Sequence, residues 1–206
     1  MDLVPTEMRS AVRAPKQART RESWQRILDI GLELLEEGGT EALSISEVCR
    51  RGAVSPPSLY ARVDGRAGLF TAVWEHGMTR VHATEAILLA RERSDGSADE
   101  QARAAARILA GVFTAHARFL RPVIAAASTD ATLRSGGSAE SRSFLTALVT
   151  SMPRCAERAY DIARTLYAEC VLHTLYGADF LAEAGESDAE FEERLERIAS
   201  WMATAA

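Results

Sequence analysis

Two helix-start signals stand so close together that the helix between them can only be short. Ser44-Ile45-Ser46-Glu47 reads as a capping box, with Leu43 and Val48 as its hydrophobic staple. That helix ends by about Arg51, because Gly52-Ala53-Val54 leads into Ser55-Pro56-Pro57, where serine suits an N-cap and proline the first helical position. The next helix, stapled by Val54 and Leu59, is also short, since Val63-Asp64-Gly65 interrupts it. On either side lie longer amphipathic patterns. One starts near Thr20, puts Trp24, Ile27, Leu28, Gly31, Leu34 and Leu35 on one face and ends at Gly38-Gly39; the other carries Leu69, Phe70, Val73, Trp74 and Val81. Two short helices about a tight turn, braced by a helix before and another after, make a helix-turn-helix in a small bundle.

In that geometry the second short helix enters the major groove and the first crosses the backbone. Leu59 and Val63, four apart, form its buried face, so Pro57 and Ala61 point outward, flanked by Ser58 and Tyr60, with Arg62 near the edge of the buried stripe. A basic arm precedes the module: Arg9, Arg13, Lys16, Arg19, Arg21 and Arg26 face only Glu22, a pattern that can follow a phosphate backbone although the whole chain carries a net charge of −5.

Residues 22 to 74 resemble the DNA-binding domain of the tetracycline-repressor (TetR) family of bacterial regulators. The carriers are Glu37-Gly38-Gly39, Leu43-Ser44-Ile45, Val54-Ser55, Ser58-Leu59-Tyr60 and Arg66 with Leu69-Phe70. The resemblance implies that Ser44, Tyr60 and Arg66 contact phosphates with Arg62 as a fourth, and that Ser46, Pro56, Pro57, Ser58 and Ala61 face base edges, beside the cap residue Ser55 and the arm residues Lys16 and Arg19. Two departures stand out. Ala53 occupies the turn position where the family usually has glycine, and Pro56-Pro57 replaces a frequent Lys-Gly pair. Consecutive prolines remove two N–H donors, so the first turn of this helix offers apolar contact, for example to a thymine methyl.

The remainder is also helical. Ala, Leu, Glu and Arg abound and no run alternates long enough for a strand, so the expected fold is all-α with about nine helices in total. The expected domains are a basic arm over 1–19, the helix-turn-helix over 20–66 and an effector-binding and dimerisation domain over 67–206. Breaks at Ser94-Asp95-Gly96-Ser97 and Ser135-Gly136-Gly137-Ser138 give helices near 98–119, 121–128, 138–151, 153–184 and 188–203, with capping boxes at Ser97/Glu100 and Ser187/Glu190. Aromatic and polar residues that could line an effector cavity, as the family commonly has, are Trp74, Met78, Phe113, His116, Phe144, Tyr167, Cys170, His173 and Tyr176. Phe191, Leu195, Ile198 and Met202, spaced by four, three and four, form a packing seam; with Leu175 and Ala178 they are the expected homodimer interface, each subunit giving two helices to a four-helix bundle.

Other classes find little support. There is no P-loop, dinucleotide fingerprint, nucleophile elbow or zinc motif, so neither an enzyme nor a cofactor or metal is expected. Cys49, Cys155 and Cys170 read as reduced structural thiols. No stretch approaches the roughly 20 consecutive apolar residues of a membrane span, and residues 1–20 lack a signal-peptide core, so the expected location is the cytosol. The expected partners are operator DNA, a small-molecule effector and a second copy of the chain. The rival reading is a helical ligand- or protein-binding module whose helix-turn-helix no longer engages DNA, made conceivable by Pro56-Pro57.

Overall fold

The computed structural model describes residues 18–180 and 184–205; Lys16 and the other arm residues up to 17 lie outside it, as does the side chain of Arg19. Among the described residues there are eight α-helices and no strand: α1 (Ala18–Ala42), α2 (Ile45–Gly52), α3 (Pro56–Tyr60), α4 (Gly65–Arg91), α5 (Ala98–Ala127), α6 (Ala131–Ser151), α7 (Ala159–Tyr176) and α8 (Asp188–Thr204), with a 3-10 segment (Pro153–Arg158) between α6 and α7. The chain divides into two compact units, Met1–Arg80 and Val81–Ala206. The division falls inside α4 rather than ahead of it.

In the first unit the core is built from Trp24, Ile27, Leu28, Leu34, Leu35, Leu43, Val48, Leu59, Val63, Leu69 and Val73, all buried as their spacing requires. The first half of α4 belongs here because Gly31 lets α1 approach it closely: a Cβ at Gly31 would overlap the Val73 side chain. Regular helical backbone in α1 stops at Gly38 and Gly39, the latter with φ 64°. Asp29 of α1 ties down α4 by accepting from Arg80 at 2.5 Å, and it stands 2.8 Å from His76 Nε2.

The turn after α2 carries a residue in the left-handed region. Ala53 has φ 50° and ψ 43°, and its N–H returns to the Cys49 carbonyl, closing α2 as glycine ordinarily would. An L side chain there is strained and Ala53 is exposed. Ala53→Gly is therefore expected to raise the unfolding free energy by about 0.5–1 kcal/mol, which a denaturant titration of the variant beside wild type will read.

In the second unit α5 packs against α6, α7 and α8 through a face rich in alanine: Ala102, Ala105, Ala106, Leu109, Val112 and Phe113 are all buried. Among the described helices only α5 is long and apolar enough to cross a membrane by composition, and these buried residues account for that apolarity as core. The capping boxes at Ser97/Glu100 and Ser187/Glu190 form in full.

Three expected breaks are placed differently. Residues 98–127 form one helix that runs through Pro122 and departs from helical backbone at His116 (φ −117°), two residues before Arg118, whose carbonyl the proline ring leaves without its helical donor. Ser135-Gly136-Gly137-Ser138 lies within α6, which starts instead at Asp130, whose carboxylate accepts from the amides of Thr132 and Leu133. The expected helix over 153–184 is a 3-10 segment followed by α7, which ends at Gly177 (φ 94°). Buried Gln101 joins these pieces: it donates to the Ser94 carbonyl at 3.0 Å and accepts from the Arg154 amide at 2.9 Å.

Candidate nucleic-acid interface

The helix-turn-helix is fixed first by its caps. The Ser44 hydroxyl accepts from the Glu47 amide at 3.2 Å. The reciprocal half of the expected box is not made, because the Glu47 carboxylate takes hydrogen bonds from Arg50 at 2.8 Å and Arg51 at 2.9 Å instead, while Arg51 also reaches Glu37 at 2.8 Å. Ser55 has the extended backbone of a cap, but its hydroxyl pairs with that of Ser58 at 2.9 Å. Pro56 and Pro57 offer no amide to receive, and the Ser58 amide goes to the Ser55 carbonyl at 3.0 Å.

Hydrogen bonds from Arg50 and then Arg51 hold the Glu47 carboxyl down from 4.5 to about 2. A folded-state value below the unfolded one stabilises the folded form above the unfolded value, and that contribution is lost as the pH falls. Acidification from 4.5 to about 2 is thus expected to weaken the first unit partly through Glu47, and melting curves of Glu47→Gln will show a shallower dependence across that window.

α3 presents the outward face anticipated from spacing. Leu59 and Val63 are buried beneath it, whereas Ser55, Pro56, Pro57, Ser58, Tyr60 and Ala61 are exposed, Tyr60 to 53 %. Ser46 is exposed on α2, its hydroxyl 3.2 Å from that of Ser44. The two arginines are engaged within the unit. The Arg62 guanidinium lies over the Trp24 ring, 5.2 Å from its centroid. Arg66 donates to the carbonyls of Leu43, at 3.2 Å, and Thr40, pinning the start of α4 to the connection between α1 and α2 with its side chain still half exposed. Sequence reasoning missed both roles, as well as Arg50, an exposed cation of α2. The partners of Arg62 and Arg66 are tertiary and leave no local signal, whereas Arg50 pairs with Glu47 three residues before it on the same helix.

The expected effector residues fall in different places. Trp74 and Met78 are buried on α4 within the first unit. In the second unit Phe113 meets Tyr167 edge to face at 5.2 Å, and the Tyr167 hydroxyl lies 2.7 Å from that of Ser141. Phe144 and Cys170 are buried, and burial pushes the Cys170 thiol well up. His116 bonds Thr84 at 2.8 Å. His173 instead stacks on Phe191 at 4.0 Å, with Nδ1 3.9 Å from Glu186. It stands between two clefts of about 250 and 290 Å³: Phe113, Arg121, Thr174 and Asp188 line the first, and Glu169, Phe180, Glu186 and Arg194 the second. Arg194 fills its role there by bonding both Glu186 and Glu169 at 2.8 Å. Tyr176 is exposed and stacked on Phe180 at 4.3 Å.

The seam of α8 is largely used inside the protomer. Phe191 and Leu195 are 1 % and 0 % exposed in the single chain, with α8 packed on α5, so they have no surface to give a partner. Leu175, Ala178, Ile198 and Met202 are half-buried. Trp201, not anticipated, is the most open large apolar side chain among the described residues at 72 %.

Residues 27–73 match the model for bacterial regulatory proteins of the tetR family. The fold is similar to that of a transcriptional regulator from Rhodococcus sp. RHA1, with a TM-score of 0.71 and 17 % identity over 86 % of this chain and 94 % of that one. It is also similar to a TetR-like transcriptional regulator from the same organism, with a TM-score of 0.63 and 17 % identity over 94 % of this chain and 100 % of that one. No curated protein matches the sequence.

Proposed function

From the match of residues 27–73 to the model for bacterial regulatory proteins of the tetR family, we propose that this chain is a DNA-binding transcriptional regulator of that family, a homodimeric repressor released from a palindromic operator by a small-molecule effector. The observation that carries this reading is α3: a short helix with a fully buried underside, Leu59 and Val63, and a face of six exposed small or amphipathic residues. A surface so firmly backed and so open suits insertion into a major groove. Ser44, Tyr60 and the exposed part of Arg66 are the phosphate contacts, and Lys16 and Arg19 extend them along the backbone. Arg50 joins this set as an exposed cation on α2.

One helix-turn-helix reads too few base pairs for tight selection, so two copies are required, with half-sites roughly 34 Å apart or a multiple of that. The outer faces of α7 and α8 supply the contact. Leu175, Ala178, Ile198 and Met202 form its margin, and Trp201 is the anchor, since an exposed tryptophan gains most from being covered. The effector is held in the second unit, where Phe113 belongs both to the pair with Tyr167 and to the cleft beside His173. Its binding shifts the separation of the two heads and lowers operator affinity through a coupling free energy. This function is exercised beside the chromosome, in the cytosol, and involves no catalysis.

Selection of bound fragments from sheared genomic DNA by the purified protein tests the proposal. An enriched inverted repeat, bound with a steep salt dependence, is the expected outcome. Weak binding of all fragments alike, governed by salt alone, would favour the rival module that no longer reads DNA.

A further inference from the structure

The exposed face of α3 has no side chain able to make two hydrogen bonds to one base edge. Guanine is read in that way by arginine or lysine and adenine by asparagine or glutamine; the exposed residues here are Ser55, Pro56, Pro57, Ser58, Tyr60 and Ala61. The adjoining guanidinium of Arg62 is laid over Trp24. The hydroxyls of Ser55 and Ser58 are bonded to one another at 2.9 Å. What this face chiefly offers a groove is carbon.

The apolar group that base pairs expose in the major groove is the C5 methyl of thymine. Pro57 and Ala61 stand four residues apart, and the Ala61 amide donates to the Pro57 carbonyl at 3.0 Å, so both lie along one line of the helix. At about 1.5 Å per residue they are separated by about 6 Å along α3, close to two base-pair rises of about 3.4 Å each. Resting on the reading that α3 enters the groove, we propose that Pro57 and Ala61 read two thymine methyls in each half-site, about two steps apart, and that selection at those positions is for the methyl group rather than for a hydrogen-bonding edge.

The test changes the DNA, so the protein remains intact. Sites are selected from random duplexes by the full-length protein, and each thymine of the consensus is replaced in turn by deoxyuridine, which removes the methyl and keeps the hydrogen-bonding edge. Two positions per half-site are expected to weaken binding about fourfold each, the transfer value of one buried methyl group, and the remaining thymines to have no effect. With Ala61→Gly, sensitivity to deoxyuridine should vanish at one of the two positions and persist at the other. Consensus G·C pairs throughout, or affinities indifferent to every deoxyuridine, would overturn the inference while leaving the regulator in place. Sensitivity unchanged in Ala61→Gly would overturn the assignment to Ala61. Failure to enrich any site would remove the reading on which the inference rests.

Discussion

Leu195→Ala is expected to lower the unfolding free energy of the second unit by about 2–5 kcal/mol, whereas Trp201→Ala on the same helix should leave that of the dissociated protomer within about 0.5 kcal/mol. Leu195 is wholly buried, between Phe191 and Ala199 along α8, against a face of α5 built largely from alanine. Small side chains have few rotamers with which to fill a vacated space, so the cavity left by the leucine persists and the cost falls toward the upper part of the range. Trp201 is 72 % exposed, and removing it leaves no cavity in the protomer. Its loss should appear in assembly instead, as dissociation of the proposed dimer on dilution and a melting temperature that no longer depends on protein concentration. Denaturant titrations at two concentrations, paired with sedimentation, separate the effects. Equal destabilisation by both substitutions would contradict the division of α8 into an inner face and an outer one.

What was legible in the sequence was local chemistry. Ser44 before α2, Pro56-Pro57 opening α3, and Leu59 with Val63 beneath it each express a rule that acts within one or two turns, and each is found in place. The boxes at Ser97 and Ser187 are of the same kind. Breaks were harder to place, because a breaker's cost can be offset from a distance. Gly136 and Gly137 together cost about 2 kcal/mol in a helix. α6 is nevertheless continuous through them, started by Asp130 and held down by the burial of Phe144, Leu145 and Leu148. The opposite error occurred in α7, where apolar residues continue to Leu181 but helix ends at Gly177. Apolar spacing says which face is covered; it does not set where the backbone turns.

The candidate interface shows the same limit. The outward set of α3 followed from spacing alone, but Arg62 lying on Trp24 and Arg66 holding the carbonyls of Leu43 and Thr40 depend on tertiary placement, while Glu47 choosing Arg50 and Arg51 over its cap is a competition between two local patterns within one turn of α2. The case of Arg66 matters for mutagenesis. Removing it takes away a structural clasp together with a proposed phosphate contact, so loss of DNA binding in that variant does not by itself locate the interface.

A carboxylate on the outer face of α3 avoids this confusion. Ala61 is exposed and in right-handed helical backbone, so Ala61→Glu should melt within about 0.5 kcal/mol of wild type. In a groove flanked by phosphates the added charge is opposed by several kcal/mol in each half-site. The measurement that bears most directly on the regulator reading is the affinity of Ala61→Glu for the site selected by wild type, taken across a salt series. A loss of at least about 100-fold at low salt, with folding and assembly unchanged, is the predicted result. Affinity equal to wild type would show that α3 does not enter the DNA, and would contradict the account at its centre.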